Sequence, residues 1–140
     1  MKVSPCGWFC FEEPAHWICE DTPNSIRLSR SAYQASIQII SARKNDKIRE
    51  TDIWDMLEDE WPNPGSAPFE ETSMYRLDSG LECLRSLQGN DTELHGMAIV
   101  FWSNYCVQMR LNAHAAPRQL QDCIADFDSI LENLQSLTLD

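Results

Sequence analysis

The sequence predicts an α+β fold, an antiparallel β-sheet sandwiched by an early helix and a C-terminal helix. Three observations carry this expectation. Residues 7–43 are short alternating or aromatic runs divided by turn-forming residues. Residues 96–111 read as one long β-hairpin. Residues 117–137 repeat apolar side chains at helical spacing, with acids on the opposite side. A period of two marks a half-buried strand, and a period near 3.6 marks a helix lying on a core.

In chain order, residues 7–12 form a short aromatic strand, and Pro14 forces a turn because it lacks an N–H donor and fixes φ. Residues 17–20 resume an extended run, and residues 21–25 are turn chemistry. Residues 26–28 and 35–39 alternate, which puts Ala35, Ile37 and Ile39 on one face and Ile40 and Ala42 on the other. The pattern changes after Asp46. Thr51 or Asp52 can cap a helix that carries Ile53, Met56, Leu57 and Trp61 at helical spacing. Pro62, Pro64 and Gly65 stop it, and a loop continues to Pro68. Residues 69–77 have strand character. Residues 80–87 fit a strand or a short helix, since Leu81, Leu84 and Leu87 recur at every third position. Residues 96–102 are apolar on both faces, as in a central strand; residues 103–105 turn, and residues 106–111 alternate again. Pro117 suits a first helical turn. Leu120, Cys123, Ile124, Phe127, Ile130, Leu131, Leu134 and Leu137 form the stripe of the last helix, with Asp122, Asp126, Asp128 and Glu132 on its outer side.

The chain has 140 residues, with 11 Lys or Arg against 22 Asp or Glu and a net charge of −11. That length suits one domain over residues 1–140, because two independent cores would each be marginal. The hydrophobic share of 43% is too high for a disordered chain. The acidic balance argues against nonspecific binding to nucleic acid or to an anionic membrane, since both need cationic surface. Pro5 and Gly7 break the apolar run of a secretory signal. The longest apolar stretch, residues 97–102, falls far short of the roughly 20 residues of a membrane helix. The expectation is an unexported, cytoplasmic protein. The six cysteines then read as reduced thiols, with Cys10, Cys106 and Cys123 serving as small hydrophobes.

The order of elements resembles a known family. Phe9-Cys10-Phe11-Glu12-Glu13-Pro14-Ala15-His16-Trp17 looks like its opening strand, an aromatic run leading into a proline and then a tryptophan. Ile26-Arg27-Leu28 and residues 35–39 look like the next strands; the hairpin over 96–111 and residues 127–134 look like the last elements. The family is the PsbP-like/DcrB-like superfamily, to which a yeast Ran-binding nuclear import factor also belongs. The resemblance covers nearly the whole chain and rests on pattern. It implies a helix-covered sheet that binds other proteins without catalysis. Relatives include photosystem II extrinsic subunits, envelope lipoproteins and chaperones of type VI secretion effectors. The export signals and lipid anchors of envelope and thylakoid members are not expected for this chain, since Pro5 and Gly7 interrupt its first apolar run. No residue set matches one that selects a single relative's function, so no functional residue is carried over.

Candidate chemistry is sparse. Cys6, Cys10, His16 and Cys19 are metal-ligating types, but their spacing is not a standard zinc pattern. An extended segment would place the first two thiols about 13 Å apart. His16, His95 and His114 titrate near neutrality, yet none adjoins a recognisable nucleophile motif, and surface or turn histidines are the default. Adjacent acids such as Glu12-Glu13 and Glu70-Glu71 point to opposite faces of a strand and make poor catalytic pairs. Phosphate loops, dinucleotide fingerprints and HExxH are absent from the sequence. No catalytic residue, metal or cofactor is expected.

The charge pattern is more informative. Arg43, Lys44, Lys47 and Arg49 are four of the 11 basic residues, and the segment 50–60 behind them is strongly acidic. A solvated loop is the plain reading; a docking site for an acidic partner segment is the sharper one. Trp54, Trp61, Phe69 and Tyr75 flank the proline-rich loop, where aromatics can anchor a partner. One of the two tryptophans is expected in the core. The sequence therefore points to a non-enzymatic protein-binding or accessory protein, such as a bacterial secretion-effector chaperone or an immunity-type protein. Arg43, Lys44, Lys47, Arg49, Trp54, Trp61 and Phe69 are its candidate partner-binding residues. The net acidity suits a partner with a basic or apolar docking segment. The alternative is a small-ligand-binding protein or enzyme with a pocket between sheet and C-terminal helix.

Overall fold

The computed structural model describes residues 1–60 and 69–138. In chain order the elements are β1 (Lys2–Val3), β2 (Phe9–Phe11), β3 (Ile18–Asp21), β4 (Ser25–Arg30), β5 (Gln34–Arg43), α1 (Glu50–Glu60), β6 (Phe69–Arg76), β7 (Glu82–Gly89), β8 (Glu93–Trp102), β9 (Tyr105–His114), α2 (Pro117–Asn133) and β10 (Gln135–Ser136). Seven strands form one antiparallel sheet in the order β3-β4-β5-β9-β8-β7-β6. A second sheet of three short strands has the order β1-β2-β10. The α+β class and the helix-covered antiparallel sheet follow the sequence expectation.

The two faces of the large sheet have different covers. Alternation puts Leu94, Ala98 and Val100 of β8 with Val107, Met109 and Leu111 of β9 on one face, in a single core with β2 and α2. Phe9 and Phe11, stacked with their centroids 6.3 Å apart, come from β2; Cys123, Phe127 and Ile130 come from α2. The opposite face carries a smaller cluster of Leu84, Met97, Ile99, Phe101 and Cys106, capped by Ile48 and by Ile53 and Leu57 of α1. Gly96 lies between the large side chains on its flanks: a Cβ there would sit 3.1 Å from Leu87 and 3.2 Å from Leu111. A glycine lets those leucines close the core across β8.

Polar ties fix α2 on both flanks. Asp126 accepts hydrogen bonds from Trp17 Nε1 at 2.8 Å and from Arg30 Nη1 at 3.1 Å. Arg85 of β7 grips Asp128 through two bonds of 2.7 and 2.9 Å, and its remaining amine reaches Glu71 at 3.1 Å. These bonds to Asp128 offset the burial of the guanidinium, and its pKa lies above the ordinary value. Asp126 and Asp128 thus turn towards the sheet, which corrects their placement on the outer side of the helix.

Several local expectations are revised. Residues 82–89 are strand, because the segment is hydrogen-bonded on both sides to β6 and β8. The hairpin turn is only Ser103 and Asn104, with Tyr105 already paired to Trp102; Ser103 has a φ of +50°. The last helix ends at Asn133, so Leu137 leaves the stripe, is exposed, and donates its backbone N–H to Trp8. The aromatic opening strand joins the small sheet rather than the large one. Asp52 lies inside the first turn of α1, where Oδ2 accepts the Arg49 backbone N–H at 3.0 Å. That bond holds its carboxyl below the usual range. Among the described residues no helix is long and apolar enough to cross a membrane.

Phe127 is fully buried at the centre of the α2 contact. Phe127→Ala is expected to lower the unfolding free energy by about 3–5 kcal/mol in urea titration. A loss below about 1 kcal/mol would mean that α2 is not part of the main core.

Candidate functional site

The basic segment lies where the last turn of β5 leads round the end of the sheet into α1. Its backbone is fixed to the hairpin turn. Lys44 N–H donates to the Asn104 carbonyl at 2.7 Å, Ile48 N–H to the Ser103 carbonyl at 2.8 Å, and Asn104 Nδ2 to the Lys44 carbonyl at 2.9 Å. A positive-φ turn and a strand end therefore hold each other, and the cations project from a braced loop.

Lys44, Lys47 and Arg49 line one concavity of about 810 Å³ with Ile48, Asp52 and Met56. Arg43 points elsewhere. Its guanidinium lies 5.5 Å from the ring centre of Tyr105, which stacks on Trp102 at 5.7 Å and meets Trp8 edge-on at 5.2 Å. Arg49 pairs with Asp52 at 3.6 Å, with side chains 78% and 43% exposed, a contact of little net strength. Trp54 stands on α1 and is 38% exposed, so it is not the core tryptophan. Trp61 lies outside the described residues. Phe69 opens β6, in register with Gly89 at the far edge of the sheet. The structure thus gathers three of the seven candidates at one concavity.

Sequence reasoning missed the partners of that site. Asp52 and Met56 shape its α1 side, and nothing in the charge run signals that they share a concavity with Lys44. A second concavity, of about 420 Å³, lies on the sheet face beyond α1 and includes Arg27, Ser29, Ser36, His95, Asn112 and His114. Period-two alternation was its available signal, since it puts Arg27, Ser29, Ser36 and Asn112 on one face. There His95 Nδ1 lies 2.8 Å from Asn112 Oδ1, and His114 Nδ1 lies 3.6 Å from Glu93. His16 is exposed in a turn. The middle of the contact between sheet and α2 is filled by Cys123, Phe127 and Ile130, all fully buried. A concavity of about 390 Å³ opens at the start of α2 between Leu94 of β8 and Leu120 and Ile124, the place the alternative reading gives to a ligand.

All six cysteines are unpaired, and Cys10, Cys83, Cys106 and Cys123 are buried. Among the described residues no three His, Cys, Asp or Glu side chains come together as a metal site. Burial pushes the Cys83 thiol up to about 12. Cys6 behaves oppositely: burial acts to raise its pKa, but the Ser4 and Ser41 hydroxyls at 3.3 and 3.2 Å, with a backbone bond from Trp8, hold it below the ordinary thiol value.

No family model matches the sequence, and no curated protein matches it. Solved structures show its fold. A Bacteroides thetaiotaomicron protein superposes with a TM-score of 0.65 at 13% identity, covering 96% of this chain and 47% of that one. This chain therefore spans about half the length of that protein. The Ran-binding protein Mog1p of Saccharomyces cerevisiae gives a TM-score of 0.59 at 10% identity, covering 94% of this chain and 92% of Mog1p. Cyanobacterial PsbP (CyanoP) from Synechocystis gives 0.61 at 12% identity, covering 96% of this chain and 90% of CyanoP. The fold is thus PsbP/Mog1-like, as the order of elements implied.

The thiol environments give a pH-dependent expectation. A lowered pKa supplies thiolate at lower pH, so iodoacetamide should alkylate Cys6 with a midpoint below the ordinary thiol value. Cys19, raised mainly by burial, should react with a midpoint above it. Peptide-resolved mass spectrometry reads both, and the reverse order would contradict the hydroxyl bonds at Cys6.

Proposed function

We propose that residues 1–140 act as a single, non-catalytic protein-binding domain whose partner lays an acidic segment into the concavity at the N-terminal end of α1. One observation carries this reading: in a chain of net charge −11, Lys44, Lys47 and Arg49 line a single concavity on a braced loop and outnumber Asp46 and Asp52, the acids that share it. The first turn of α1 adds the positive end of a helix dipole. Arg49 can exchange its exposed contact with Asp52 for a partner carboxylate at little cost. Trp54 stands exposed on the same helix as a rim contact. Acids at 50 and 55, outside the lining, repel a partner that overruns the site, which favours a short acidic segment over an extended one.

The fold neighbours support a binding role, since Mog1p is by name a Ran-binding protein. A secretion-effector chaperone and an immunity-type protein are two forms the role takes, and they differ in what the partner does once held. The cytoplasm suits a chain with six unpaired thiols.

Fluorescence anisotropy with a labelled Asp/Glu-rich peptide tests the site. Lys44→Glu with Lys47→Glu is expected to weaken binding about tenfold or more, and wild-type affinity should fall as salt rises. Arg118→Glu, on the exposed first turn of α2, is the control and should leave affinity within about twofold. Equal affinity in the double variant would refute the assignment.

A further inference from the structure

The two helices are held to the sheet in unlike ways. α2 buries Leu120, Cys123, Phe127, Ile130 and Leu131 and is tied by Arg30 and Arg85 through its aspartates. α1 buries only Ile53 and Leu57, with Ile48 just before it. Its described side chains make no ion pair or hydrogen bond to the sheet; the recorded one is the Arg49–Asp52 contact of its own first turn.

The charges of α1 also oppose its folding. Its 11 residues include six acids and no base. Asp52 and Asp55, Asp55 and Glu58, and Asp55 and Asp59 are like-charged neighbours one turn apart. Three acids close the helix at 58–60, next to the negative end of its dipole, where a cation would be favourable. Helices this short derive their stability from packing, and here the packing is slight.

We propose that α1 opens from the sheet as a local unit while α2 and the seven strands stay in place, and that this opening uncovers the apolar patch of Leu84, Met97, Ile99, Phe101 and Cys106. The molecule thereby holds an apolar surface closed at rest, under a latch that its own charge weakens. Screening of the repulsion closes the latch, so the open fraction falls with ionic strength.

The cysteines supply the readout. Cys106 lies in the cluster under Ile48 and α1, whereas Cys83 and Cys123 lie in the core under α2. All three are buried, and each is compared with itself across salt and variants, so a change confined to Cys106 reports local exposure. Local opening makes labelling follow the population of the open form. The full chain would be treated with iodoacetamide in native buffer, and each cysteine followed by peptide mass.

Cys106 should label at least tenfold faster than Cys83 and Cys123. Its rate should fall several-fold when salt rises from about 0.01 M to about 0.1 M, which shortens the screening length from ~30 to ~10 Å. Asp55→Asn with Asp59→Asn should slow Cys106 alone. Ile53→Ala should speed it with Cys123 unchanged; if that variant unfolds globally, Cys123 accelerates equally, and the charge variants still decide. Cys106 labelling in step with Cys83 and Cys123, or indifferent to salt and to the charge variants, would overturn the proposal.

Discussion

A strand that is apolar on both faces must be covered on both, and β8 and β9 are such strands over only part of their length. Towards their shared turn, Met97, Ile99, Phe101 and Cys106 face one way while Ala98, Val100 and Val107 face the other. Towards the far end, the first of these faces changes to His95 and Asn112, while the second continues as Leu94, Leu111 and Ala113. One cover therefore extends along the whole hairpin and the other stops partway. The long apolar face takes α2 and the small sheet. The short one takes α1, and the polar remainder faces water. The basic corner sits where it does because β5 ends beside the hairpin turn and the chain must cross there to reach the face α1 covers.

Charge is distributed with the same asymmetry. On α2, Asp126 and Asp128 pair with sheet arginines, so part of the acidity neutralises the buried Arg85 and the half-buried Arg30. On α1, Glu50, Asp55, Glu58 and Asp59 are exposed to solvent. A single net charge thus has two structural meanings: it clamps one helix and loosens the other. The basic loop at the start of α1 partly balances the acids of that helix's first turn.

Much of the fold was legible in the sequence because its strongest signals are local. The α2 stripe and the β8–β9 alternation are visible within windows of about 15 residues. β7 was not, because a strand buried on both faces loses its period, and Leu81, Leu84 and Leu87 then imitate a helix; only pairing to β6 and β8 decides it. β1 and β10 were invisible, being two residues each and defined by a partner strand elsewhere in the chain. The same limit hid the clamp on α2: Arg85 is 43 positions from Asp128, and Arg30 is 96 from Asp126. At the candidate site the cluster of cations was plain. The departure of Arg43 to Tyr105 was not, since it depends on cross-strand register.

The small sheet has a mechanical meaning. β1 and β10 flank β2 and both run antiparallel to it, so they share one direction. Tension entering through those two strands would pull them lengthwise past β2, loading their hydrogen bonds in shear. The pairings of Lys2 and Val3 with Phe11 and Cys10, and of Gln135 and Ser136 with Cys10 and Phe9, resist that pull together with the Lys2–Asp21 ion pair and the Leu137–Trp8 and Trp102–Thr138 hydrogen bonds. With two paired positions on each side, they would part before the ten-residue ladders of β5, β9 and β8. The small sheet would then act as a sacrificial link that yields before the large one.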